Sequence, residues 1–147
     1  MATIISIWHS ADKGKTETLR TLATLFLNTY SIKPIYPSPA LVPTKHDFRL
    51  VFQINGKIVG IESQGDPKTN LQNRLIDLVD NFHCELIFCS SRTKGETVNA
   101  VNFIANNRSF ETIWTSTYQI DNSALHPLVN TLSAKHILDL CQQLQLI

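Results

Sequence analysis

Residues 3–8, TIISIW, are apolar with almost no alternation, and a strand of that kind needs cover on both faces. From residue 16 the pattern switches to the helical period, with Leu19, Leu22, Ala23 and Phe26 at i, i+3, i+4 and i+7. A doubly covered strand running into an amphipathic helix is the opening unit of an α/β fold, and the same kind of unit recurs downstream. Residues 47–54 and 58–62 are apolar runs separated by Asn55-Gly56-Lys57, a hairpin signal because Asn and Gly both tolerate positive φ. Residues 85–90, ELIFCS, read as another buried strand and residues 110–117 as a last one.

Helices fill the gaps. Asp66 is placed to cap one and Pro67 to occupy its first position, with the helix running to residue 82 and burying Leu71, Leu75, Leu78, Val79 and Phe82. A second follows residues 91–97 and ends near residue 106. A third runs from about residue 127 to the end, burying Ile137, Leu140, Cys141 and Leu144. Residues 33–43 hold prolines at 34, 37, 39 and 43, which excludes an ordinary helix and argues for an extended connection rather than a central strand. The expectation is one α/β domain over residues 1–147. It is a three-layer sandwich with a mostly parallel sheet and one antiparallel strand from the hairpin.

Composition bounds the function classes. With 147 residues, 43% of them apolar, the chain has material for one core. Its 13 basic and 12 acidic side chains leave a net charge of +1, so there is no overall bias toward nucleic acid or an anionic membrane. No run is long enough for a membrane span, and the first residues lack the basic start of a signal sequence; a soluble, cytoplasmic protein is expected. Cys84, Cys89 and Cys141 form an odd set without metal-ligand spacing and read as small buried hydrophobes in a reducing compartment. Trp8 and Trp114 fall in strands and are expected in the core. His46, His83, His126 and His136 are scattered and form no catalytic set.

The chemistry concentrates in the loop after the first strand. His9-Ser10-Ala11-Asp12-Lys13-Gly14-Lys15-Thr16 meets the phosphate-loop pattern G-x-x-x-x-G-K-[ST] at its last three positions and departs at its first. In such a loop, backbone N–H groups and the following helix N-terminus surround phosphate oxygens. The lysine reaches the outer phosphates, and the hydroxyl binds Mg²⁺. Lys13 adds a second positive charge beside Asp12. His9 stands where a glycine would permit close phosphate approach.

With the elements around it, this loop resembles the P-loop NTPase superfamily, and in layout the small Ras-like GTPases. The shared order is a loop-helix unit, a segment with Pro43-Thr44, a hairpin, and Glu62-Ser63-Gln64-Gly65 where that layout has D-x-x-G. The resemblance implies an Mg²⁺-dependent site for ATP or GTP. His9, Ser10, Lys13, Gly14, Lys15 and Thr16 would line the phosphates, with Gly65 donating its N–H to the terminal one. Thr16, Thr44 and Glu62 would serve the metal, and Asp66 would orient an attacking water or act as a base. No N-K-x-D selects guanine; the corresponding strand end reads Cys89-Ser90-Ser91-Arg92-Thr93.

SSRTKGET, residues 90–97, follows a buried strand and opens a helix, which places it at the carboxyl edge of the sheet where open α/β folds bind ligands. Arg92 and Lys94 are positioned there to neutralise a transferred phosphoryl group, while Thr93-Lys94-Gly95-Glu96 also fits a capping box. Two other readings stand beside NTP hydrolysis or phosphoryl transfer. One is a noncatalytic interaction domain whose loop has lost tight nucleotide binding, favoured by His9. The other is an adaptor for a protein or nucleic acid that uses the proline-rich segment and the basic loop.

Overall fold

The computed structural model describes residues 1–10 and 14–147. Its sheet has six strands: β1 (Thr3–Trp8), β2 (Lys33–Tyr36), β3 (Arg49–Ile54), β4 (Lys57–Glu62), β5 (Leu86–Ser91) and β6 (Glu111–Thr115). They lie in the order β2-β3-β4-β5-β1-β6. β4, β5, β1 and β6 pair in parallel, and β3 runs against both β4 and β2. The expected α/β architecture with one antiparallel hairpin strand is therefore present. At the hairpin turn Asn55 and Gly56 have φ of 50° and 79°, the two positive values that the turn requires.

Among the described residues, four α-helices cover the sheet: α1 (Lys15–Thr29), α2 (Leu71–Asp80), α3 (Glu96–Arg108) and α4 (His126–Gln143). Strand alternation divides the core between two faces. Ile5, Ile7, Val59, Ile61 and Phe88 pack with Leu19, Leu22 and Phe26 of α1 and with Ala134 and Ile137 of α4. Ile4, Ile87 and Cys89 pack with Leu71, Leu75 and Leu78 of α2 and with Val101 and Ile104 of α3. Phe26 anchors the first face, its ring 5.2 Å from that of Phe52 and 5.7 Å from that of Phe88.

Several local expectations are corrected. Residues 33–36 form an edge strand with Pro34 inside it, which is tolerated because the outer side of an edge strand has no ladder to join. α2 begins at Leu71, not after Asp66; Asn70, with φ of 61°, is its N-cap, and the Asp66-Pro67 pair lies in the preceding loop. The capping box at 93–96 does not form, since α3 opens at Gly95 with no side-chain cap. Trp8 is 39% exposed and Trp114 partly buried, their rings 5.5 Å apart, because β6 is an edge strand and leaves its neighbour's end uncovered. Leu144 falls just beyond α4 and is exposed, and Leu146 is buried instead.

All three cysteines are buried, and burial pushes each thiol up from an ordinary value near 9 to about 12. Between those values the unfolded chain releases thiol protons that the native chain retains, so native stability falls as pH rises through this window. A thiol reagent at about pH 8 is expected to label none of the three in the native protein and all three after unfolding in denaturant. Rapid labelling of the native protein would contradict this burial.

Candidate functional site

The carboxyl ends of β1, β4, β5 and β6 share one edge of the sheet. β1 connects through α1 on one face, while its neighbour β5 connects through α3 on the other. Two adjacent parallel strands whose connections leave on opposite faces open a crevice at their carboxyl ends, the place where open α/β sheets bind ligands.

Lys15 occupies that crevice. It is 6% exposed, and its Nζ donates to the carbonyl oxygen of His9 just past β1, at 2.9 Å, and to that of Ser91 at the end of β5, at 3.1 Å. The Ser91 carbonyl also accepts the His9 N–H at 3.1 Å. A buried ammonium needs such acceptors to offset its lost hydration. The result is a positive charge fixed at the first residue of α1, where the helix dipole also favours an anion.

Gly14, the residue before it, has φ of 77°, and a Cβ there would lie 2.5 Å from Oδ1 of Asn130 in α4. The positive φ is what favours glycine here, since the Asn130 amide is the end of a flexible side chain that can move aside. Thr16 follows in the first turn of α1 and is partly buried. His9 and Ser10 flank the crevice: the Ser10 N–H donates to His9 Nδ1 at 2.8 Å, so one loop amide is turned toward the histidine. Lys13 lies outside the described residues.

The second loop is drawn onto the same edge. Gly65 is buried, and a Cβ on it would stand 1.8 Å from the carbonyl oxygen of Ser90, so only glycine allows this loop to lie on the end of β5. Serines tie the strand ends together. Ser90 Oγ donates to the Ser63 carbonyl at 3.0 Å, Ser63 Oγ donates to Asp47 Oδ1 at 2.9 Å, and the hydroxyls of Ser6 and Ser91 are 2.9 Å apart. Asp66 and Arg92 meet at the rim, with Arg92 Nε 3.1 Å from Asp66 Oδ1. Both are substantially exposed, so their pair contributes about 0–1 kcal/mol and separates readily. Lys94 is exposed on the same loop.

Thr44 is also exposed, in a turn clasped to α1 by Arg20, whose Nη1 donates to the carbonyls of Pro43 and His46. Arg20 stands about 6 Å along the helix axis from Thr16.

Glu62 is placed elsewhere. Ile61 packs on the α1 side, so the next residue of the strand faces α2, with β5 between it and β1. There Glu62 is 1% exposed, and its Oε1 accepts from Arg49 Nε at 3.0 Å and Nη2 at 2.8 Å, with Arg74 Nη1 at 3.8 Å. Arg49 also bonds the Asp77 carboxylate and donates to the Arg74 carbonyl. Burial raises the Glu62 carboxyl above its ordinary range, and the two guanidiniums pull it partly back. Sequence reading missed Arg49, Arg74 and Asp77 as partners of Glu62. The Arg49–Glu62 pairing was recoverable in principle, because the Asn-Gly turn sets a register that puts the two residues directly opposite each other.

Comparison of the chain with family models, with curated proteins and with solved structures gives no match. Among the described residues, no three of the His, Cys, Asp and Glu side chains are grouped to hold a metal ion. No described helix is long and apolar enough to cross a membrane.

Proposed function

We propose that this chain is a P-loop-like nucleotide-binding domain that takes the polyphosphate of ATP or GTP together with Mg²⁺. The observation that carries the reading is Lys15, held by carbonyls from the ends of two strands at the point where the sheet's connections diverge. A lysine tethered in this way keeps its charge at the carboxyl ends of β1 and β5. Thr16 would offer its hydroxyl to the metal. The remaining metal ligands would come from phosphate oxygens and water, which suits Mg²⁺ and the absence of a protein cage among the described residues. Arg92 would release Asp66 and turn to the outer phosphate, where a guanidinium compensates developing charge in hydrolysis or phosphoryl transfer.

One observation favours a noncatalytic interaction domain instead. His9 engages the Ser10 N–H, and an amide used this way is lost to a phosphate. Calorimetric titration with ATP and GTP, with and without Mg²⁺, separates the two readings. The nucleotide reading expects saturable binding strengthened by Mg²⁺. It also expects at least a tenfold loss in Lys15→Met, about 1.4 kcal/mol, with the variant still folded. Equal affinity in the folded variant would remove Lys15 from the site, and no binding to either nucleotide would leave the interaction domain.

A further inference from the structure

We propose that the cavity between β3, β4 and α2 is a second ligand site, separate from the Lys15 crevice, and that it takes a small zwitterion of the amino-acid or dipeptide class. The cavity has a volume of about 560 Å³, within the range of small-molecule sites. Its charged floor is already satisfied. Oε1 of Glu62 faces three guanidinium nitrogens, while Asp77 accepts from Arg49 through Oδ2 and from Asn81 through Oδ1 at 2.6 Å. Arg49, Arg74, Glu62 and Asp77 sum to zero charge.

Unused capacity remains at two points of opposite sign. Arg74 spends Nε on the Thr69 carbonyl at 2.8 Å and holds Nη1 only at 3.8 Å from Glu62, which leaves most of its planar donor fork for a ligand. Asp47, which also lines the cavity, accepts from Ser63 through Oδ1, and its other oxygen has no protein partner among the described residues. A guanidinium fork matches a carboxylate, and a lone carboxylate oxygen matches an ammonium. Gln64 and Asn73 line the space as well, and their type of side chain, an amide, matches a peptide-like group. Tyr36 and Phe82, with ring centroids 6.1 Å apart, supply an apolar wall for a side chain. A nucleotide fits poorly, because its phosphates would find one open guanidinium and face Asp47. A simple anion or a simple cation would leave one of the two charged ends unmatched.

The test is a ligand-detected NMR screen of the whole protein against the twenty amino acids and a set of glycyl dipeptides. The best binder is then compared with its N-acetyl and carboxamide forms. Expected are saturable binding by zwitterions, shifts of the Tyr36 and Phe82 ring signals in protein-observed spectra with the best binder, and at least a tenfold loss on blocking either end. Arg74→Gln should abolish the preference for the free carboxylate over the amide, and Asp47→Asn the preference for the free amine over the acetyl form. Lys15→Met should leave this binding intact, which distinguishes failure here from failure of the nucleotide reading. The proposal is overturned if no zwitterion binds, if blocked forms bind equally, or if both substitutions leave the preferences unchanged while the protein stays folded.

Discussion

Arg49→Met is expected to destabilise the protein by about 3–5 kcal/mol, because it leaves the Glu62 carboxylate buried without its main partner. The loss includes two bonds to Glu62, one to Asp77 and one to the Arg74 carbonyl, all made by a single guanidinium. Arg74 cannot replace it, being 3.8 Å away and tied to the Thr69 carbonyl. The double variant Arg49→Met with Glu62→Leu should recover most of the loss, since an apolar pair at a buried site is often as stable as the ion pair it replaces. The pH dependence has a definite sign. Burial already raises the Glu62 carboxyl, and removing the guanidinium raises it further. A carboxyl whose native pKa lies above its unfolded value stabilises the native state at low pH and loses that contribution as pH rises. The deficit of the single variant should therefore be smaller at about pH 5 than at about pH 7.5. Urea unfolding at both values measures it, and a deficit under about 1 kcal/mol at neutral pH would show that the pair is not a main support of this face.

Gly65→Ala should cost about 3 kcal/mol or more, above the usual range for overpacking. The added Cβ would stand 1.8 Å from the Ser90 carbonyl oxygen and 2.4 Å from its carbon, both backbone atoms. β5 has a paired strand on each side and cannot yield, so the loop of residues 63–70 would have to lift. Lifting it would strain the Ser90 to Ser63 bond and the Arg92–Asp66 contact. Gly56→Ala provides the contrast: its φ is 79° but nothing lies within 4 Å of the added atom, so only conformational strain of about 1–2 kcal/mol is expected. Thermal unfolding of both variants tests the difference. Equal costs would mean that the approach of Gly65 to Ser90 is not constrained in the native protein.

The resemblance to P-loop proteins implies Gly65 at a terminal phosphate and Glu62 at a metal, while the fold shows Gly65 pressed on Ser90 and Glu62 paired with Arg49. That contrast marks where sequence reading stops. Strand and helix periods are local, so runs such as TIISIW and the Leu19–Phe26 stripe declare their elements without reference to the rest of the chain. Helix boundaries are less legible. Asp66-Pro67 reads as a cap on local chemistry, but the chain continues as a loop to Asn70, with Gly65 pressed onto Ser90 and Asp66 paired with Arg92. Trp8 and Trp114 read as core because strands usually are, and only the position of β6 at the edge exposes Trp8.

By itself, the sequence determined the α/β class, the hairpin, the buried thiols and the loop that bears Gly14, Lys15 and Thr16. Each of these depends on residue types within one or two turns of chain. Only the tertiary structure decided that β5 lies between β1 and β4. That single placement brings the Ser91 carbonyl to Lys15, while strand alternation aims Glu62 at α2 and Arg49. Strand order is set by long-range packing of two helical layers on one sheet, and no local pattern of residues encodes it.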